Sequence, residues 1–142
     1  PACRRRQQRK RDFSRLWLLA FYAGNVWLIA EELAEVTLSN WAPEGWRKVT
    51  TQGRSRGVTI YALSQSPAWV DKFFWGNCST IRTGRLVEFE HAKTMAENIG
   101  AQPGQTIRDM AGEIQRMPDG AYIHLQISPR EIKKGNIFLE KK

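Results

Sequence analysis

Cysteine is scarce: Cys3 and Cys78 stand far apart and outside any CxxC or Cys/His cluster. Neither a disulfide framework nor a zinc site is signalled, and a reducing compartment is the default. Histidine is as rare. His91 and His124 are single residues far from any acid or Cys cluster at ligand spacing, so they read as surface or partly packed side chains and support no catalytic triad. Long apolar runs are missing too. Leu16 to Ala30 is the nearest approach, 15 residues broken by Gly24 and Asn25, against the roughly 20 that a spanning helix needs. Behind its basic flank it imitates a signal anchor, but a membrane partner is not favoured. A mean hydropathy of -0.50 excludes a polytopic membrane protein. The chain opens at Pro1 without an initiator Met, which reads as a fragment or a processed chain.

What is present suits one domain or a piece of one. The 142 residues are 42% hydrophobic with six Trp and six Phe, enough apolar surface for a core. Twenty-two Lys and Arg against fourteen Asp and Glu leave a net charge of +8, which points to an anionic partner, nucleic acid or a membrane surface. The basic residues begin as a block, RRRQQRKR over residues 4 to 11. Its self-repulsion predicts an exposed arm over residues 1 to 11, or the end of a missing element.

From Asp12 the apolar spacing of Phe13, Leu16, Trp17, Ala20 and Phe21 predicts a helix stopped by Gly24 and Asn25. The run Val26 to Ala30 is apolar throughout and of strand length, which suits a buried parallel strand. A loop and short helix ending at Gly57 follow, then a second strand over Val58 to Pro67. Further on, the pattern predicts a short helix over 68 to 77, a third strand from Ser79 to Leu86, and a helix from Val87 to Ile99 ended by Gly100. A helix over Thr106 to Gln115 and a closing antiparallel pair, AYIHLQI with NIFLE, complete it.

Chemistry concentrates at strand ends. Val26 to Ala30 delivers Glu31 and Glu32 to its C-terminal tip, and ligands of open α/β sheets bind beyond the carboxyl ends of strands. One carboxylate there can hold Mg²⁺ through water while the other polarises a water that attacks a γ-phosphate. The plain alternative is a strand ending in two solvated acids. Gln65 follows the second strand, where an amide can touch both the attacking water and the phosphate; the alternative is a turn residue. Arg54 and Arg56 in GRSRG carry the fork of donors that fits phosphate, as an arginine finger, as a DNA backbone contact, or simply as a solvated basic loop. Trp41, Trp46, Trp69 and Trp75 could stack on bases, yet such residues more often pack a core.

The order of these pieces resembles the FtsK and HerA type of P-loop ATPases that pump DNA, including viral packaging ATPases. VWLIAEELAEV is similar to the family's Walker B strand, and GRSRGVTIYALSQSP to its strand with a preceding Arg segment and a terminal Gln. GNCSTIRTGRL, HAKTMAENIGA and MPDGAYIHL resemble the strand, helix and turn that follow. The resemblance implies an α/β fold with a mostly parallel sheet flanked by helices and a C-terminal antiparallel pair, residues 12 to 142 being the C-terminal part of an ATPase core. It implies Glu31 at the metal-associated position, where the family usually has Asp, Glu32 as catalytic base and Gln65 as sensor. Arg54 or Arg56, or less readily Arg85, would be the finger. ATP, Mg²⁺, DNA and a homo-oligomeric ring follow as expected partners, in a cytoplasmic or virion-associated setting. No GxxxxGK[ST] occurs in the chain, so the phosphate cradle is expected in an absent N-terminal portion. Two other functions fit parts of the pattern: a non-catalytic basic nucleic-acid-binding domain, and a membrane-linked morphogenesis ATPase of the filamentous-phage kind.

Overall fold

The computed structural model describes the backbone of residues 2 to 138 and the side chains of residues 7 to 138. The chain divides into two compact units, residues 1 to 77 and 78 to 142. The first holds helix α1 (Ala2–Ala23), strand β1 (Trp27–Ala30), helix α2 (Glu44–Gln52), strand β2 (Thr59–Ala62) and helix α3 (Lys72–Asn77). The second holds strand β3 (Thr80–Thr83), helices α4 (Phe89–Ile99) and α5 (Ile107–Arg116), and strands β4 (Ala121–Gln126) and β5 (Glu131–Asn136).

Residues 2 to 11, within the expected arm, lie in α1. Arg, Gln and Lys are good helix formers, so the basic block continues the amphipathic helix backwards to Ala2 instead of standing apart from it. Gln8 donates to Asp12 one turn on, and Arg9 pairs with Glu35. Cys3 and the guanidinium groups of Arg4, Arg5 and Arg6 lie outside the described side chains.

The second half of α1 packs on α2 through aromatic rings. Trp17 meets Trp46 edge-on at 4.6 Å between centroids, with Phe13 and Phe74 completing the cluster. Edge-to-face packing puts the positive rim of one ring on the negative face of the next. Phe21, Leu33, Ala42, Val49, Val58 and Val70 close this core. The two helices approach so nearly that Gly45 is required: its amide donates to Ser14 Oγ at 3.0 Å, and a Cβ there would stand 2.0 Å from the Ser14 carbonyl oxygen.

Strands β1 and β2 pair in parallel, Trp27 opposite Thr59 through Ala30 opposite Ala62. Their turns set the register. Asn25, in the left-handed region, donates its amide to the Arg56 carbonyl, and Gly57 at φ 70 lies so close that any Cβ would clash with the Asn25 side chain. The strands are not buried on both faces as the continuous apolar runs predict: Trp27, Ile29, Tyr61 and Leu63 are each more than half exposed. Their alternation places them on one face of the pair.

In the second unit the sheet order is β3-β4-β5, antiparallel throughout. This corrects the expectation of one mostly parallel sheet, because the third strand joins the C-terminal hairpin. Its pattern gives the reason: Ile81 and Thr83 are buried while Thr80 and Arg82 face solvent, the alternation of a strand with one wet face. The last strand is also corrected, from NIFLE to EIKKGN. Four residues connect Gln126 to its partner Glu131, so the hairpin uses the next six residues, and Ile137 only caps the end by donating to the Gly120 carbonyl. Leu139 and Glu140 lie outside the described residues. Lys133 and Lys134 on this edge strand discourage further strand pairing. Helix α4 ends at Gly100 as expected, and α5 begins in a capping box between Thr106 and Asp109, whose hydroxyl hydrogen bond holds the Asp109 carboxyl below its usual range.

Replacing Gly45 by Ala forces α1 and α2 apart and should lower stability by about 2 kcal/mol or more, read as a reduced midpoint in thermal or urea unfolding. An unchanged midpoint would contradict the helix contact described here.

Candidate functional site

The tips of β1 and β2 form the site. After Ala30, the backbone ladder continues with Leu63 N donating to Ala30 O at 2.8 Å. A regular parallel ladder would return from Leu63 O to the amide of Glu32. It returns instead to Leu33 N, at 3.0 Å. One extra residue is therefore accommodated at the acidic pair, a bulge of the kind that re-aims side chains beside active sites. The backbone of Glu32 absorbs it with φ 45 and ψ 59, left-handed values that cost a non-glycine residue about 1 kcal/mol or more.

That conformation turns the Glu32 carboxylate across to the neighbouring strand. Ser64 Oγ donates to Glu32 Oε1 at 3.0 Å, and the Gln65 backbone N–H donates to Oε2 at 3.4 Å. The Ser66 amide in turn donates to Ser64 Oγ, fixing the hydroxyl between them. A carboxylate has about four acceptor positions, so two donors orient Glu32 and leave it room to accept a proton. Glu31 beside it is exposed, as is Gln65.

The structure thus brings Glu31, Glu32 and Gln65 to one sheet edge, and it leaves Arg54 and Arg56 at the other. Both arginines lie in the 3-10 turn Gly53–Arg56, ahead of β2. The extended chain from there to Ser64 spans roughly 20 Å. Arg56 rests its guanidinium 5.1 Å above the Phe21 ring, and Arg54 is exposed. Arg85 belongs to the second unit, where it pairs with Asp119 at 2.9 Å.

Among the described residues no three His, Cys, Asp or Glu side chains converge as a metal cage. Glu31 and Glu32 still offer the hard oxygen donors that suit Mg²⁺, an ion usually bound by one or two carboxylates with water and substrate phosphates completing the shell. Cys78 offers no thiolate, because burial pushes its thiol up to about 12.

Two residues were not singled out by the sequence. Ser64 carries the closest contact to Glu32, and its only signal was a hydroxyl directly after a strand. Asp71 is fully buried; Oδ1 accepts from the Phe73 amide at the start of α3, while Oδ2 has no hydrogen-bond partner among the described residues. Of the tryptophans, Trp46 is core, Trp75 packs against it, and Trp41 and Trp69 are exposed.

No family model matches the chain. Over 72 residues it is 33% identical to Protein P9 of Pseudoalteromonas phage PM2, a stretch that is 51% of this chain and 33% of the phage protein. Among solved structures, the genome packaging NTPase B204 of Sulfolobus turreted icosahedral virus 2 superposes with a TM-score of 0.69 at 15% identity in its AMPPCP complex. That match covers 91% of this chain and 62% of the other. Its ATP-γS complex gives 0.68 at 12% identity over 87% and 60% of the two chains. The DNA-packaging ATPase B204 of Sulfolobus turreted icosahedral virus gives 0.61 at 12%, over 80% and 52%. The chain shares the fold of these solved structures. It spans less than two thirds of each of these proteins.

The left-handed backbone at Glu32 can be tested without function. Glu32→Gly and Glu32→Ala both delete the carboxylate, but only glycine adopts φ 45 without cost, so the Gly variant should be the more stable by about 1 kcal/mol. Equal unfolding midpoints would mean that the bulge relaxes.

Proposed function

We propose that this chain carries the hydrolytic edge of an ATP-driven motor of the FtsK and HerA type that packages or translocates DNA. In this reading it is the C-terminal part of an ATPase core, with the phosphate-binding loop supplied by a segment outside these 142 residues. The observation that carries it is the Glu32 carboxylate, held by Ser64 and Gln65 across the carboxyl tips of two parallel strands. The packaging NTPase fold supports it.

Each residue then has a chemical task. Glu32, fixed but not saturated, takes the proton of a water that attacks the γ-phosphate. Gln65 touches that water or the phosphate and couples its loss to β2. Glu31 would hold Mg²⁺ through water, and the cation, when bound, would supply charge neutralisation of the phosphates. Arg54 and Arg56 are too far from Glu32 to serve the same site, which favours a finger role toward a neighbouring copy in a ring. The surplus of Lys and Arg meets DNA phosphates. Trp27, Ile29, Tyr61 and Leu63 present an apolar face that another layer of the ATPase core would cover.

A non-catalytic basic nucleic-acid-binding domain accounts for the charge but gives no reason to strain an acidic residue and clamp it between strand tips. A membrane anchor over Leu16 to Ala30 would need one element, whereas that segment is divided between α1 and β1. No helix of the described residues is long and apolar enough to cross a membrane.

Calorimetry tests the division of labour. These 142 residues should bind Mg-ATP weakly or not at all, and restoring the segment that supplies the cradle should give tight binding and DNA-dependent hydrolysis. Tight binding by the 142 residues alone would overturn the proposal. In the restored protein, Ala at Arg54 or Arg56 should lower turnover by about a hundredfold or more while ATP binding survives. Mixing with a catalytically dead copy that keeps both arginines should recover part of the rate if they act across the interface.

A further inference from the structure

We propose that the groove along the outer face of α2 binds unpaired polynucleotide. The groove has a volume of about 670 Å³ and lies within the first unit, walled by Trp41 and Phe73. Its floor is one helical stripe, Arg47, Lys48, Thr51 and Gln52, which follows from the 3.6-residue period because α2 buries Trp46 and Val49 on its opposite side.

Three observations select the ligand. The walls are aromatic and open: Trp41 is 41% and Phe73 57% exposed. Cations are interleaved with them. The Arg47 guanidinium lies 4.9 Å over the Phe73 ring, and Lys10 Nζ lies 4.2 Å over Trp41. A guanidinium stacked on a ring offers its own outer plane to a base, and an ammonium beside a ring can hold the phosphate attached to a stacked base. Lastly, the groove is pre-formed. Leu38 and Trp41 exchange two backbone hydrogen bonds, 2.7 and 3.0 Å, that fix the Trp41 turn, and Lys48 is held by the Tyr22 hydroxyl at 2.9 Å. Glu44 is an acid in the lining, one turn before Arg47, and marks the end that does not receive phosphate.

Duplex DNA would use the cations alone, since its bases are shielded in the stack. Exposed rings on both sides of a cationic stripe therefore point to a strand whose bases are free. The inference rests on the motor reading only for the presence of nucleic acid, and its test needs neither ATP nor a phosphate cradle. Failure here leaves the Glu32 chemistry standing, and failure of that chemistry leaves this binding measurable.

The experiment is fluorescence anisotropy of the whole chain with three labelled probes: a 20-residue oligothymidylate, its duplex with oligoadenylate, and an abasic 20-mer with the same phosphates. The single strand should bind about tenfold tighter than the abasic strand, and tighter than the duplex. Trp41→Ala and Phe73→Ala should each weaken it by about tenfold, Trp41→Phe should retain most of the affinity, and Trp69→Ala, an exposed ring outside the lining, should change nothing. Changing Lys10 and Lys48 together to Gln should lower the salt slope by about 1.4. Equal binding of all three probes to the unaltered chain overturns the proposal without any variant. So does a folded Trp41→Ala and Phe73→Ala pair that binds the single strand like the unaltered chain.

Discussion

The register of β1 against β2 decides whether Glu32 reaches Ser64, and four-residue strands are too short to hold that register by themselves. It is held from behind. The Trp17 and Trp46 contact and the close approach at Gly45 lock α1 onto α2. The ends of α1 and of the turn after α2 are thereby brought together, Asn25 against Arg56 and Gly57. Both strands leave that junction in step and arrive at the opposite edge in step. A shift of one residue would turn every strand side chain to the other face and separate the Glu32 carboxylate from its donors. Packing of aromatic rings at one edge is thus the physical origin of the acid geometry at the other.

Much of this architecture was legible because it depends on local chemistry. Val26 to Ala30 and Val58 to Leu63 are apolar and rich in strand formers, and Gly24, Asn25 and Gly57 punctuate them with residues that tolerate positive φ. What was not legible depends on distant partners. The bulge at Glu32 exists only in relation to Leu63, 31 positions on, and no local pattern marks it. Assignment of β3 to an antiparallel sheet requires knowing that β4 lies beside it, although the alternation of Ile81 and Thr83 was already the signature of a half-wet strand. NIFLE drew attention by composition, whereas hairpin length chose the more polar EIKKGN. Asp71 gave no signal, because burial of a carboxylate is a property of its surroundings.

The exposed apolar face of the parallel pair and the strained acid at its tip belong together. Trp27, Ile29, Tyr61 and Leu63 leave a large patch in water on a chain that otherwise carries a surplus of charge, and such patches mark contact surfaces. Glu32 is held by Ser64 and by the Gln65 backbone N–H, and no GxxxxGK[ST] motif occurs in the sequence. On the proposed reading, the acidic edge would do the chemistry and the apolar face beside it would pack against another segment of the ATPase core. Arg54 and Arg56 stand at the far end of β2, away from Glu32, and the proposed finger role directs them toward another copy.

The most direct measurement compares Glu32→Gln with Glu31→Gln in a protein completed with the proposed phosphate-binding segment, with hydrolysis and nucleotide binding read on the same samples. Glu32→Gln keeps nearly the same volume and removes the proton acceptor, so single-turnover hydrolysis should fall by about a hundredfold or more while Mg-ATP binding is retained. Glu31→Gln should instead raise the magnesium concentration needed for activity, because an amide is a poorer partner than a carboxylate for the hydrated cation. Hydrolysis by Glu32→Gln at the unaltered rate would reduce the acidic pair to a solvated strand end and contradict the account.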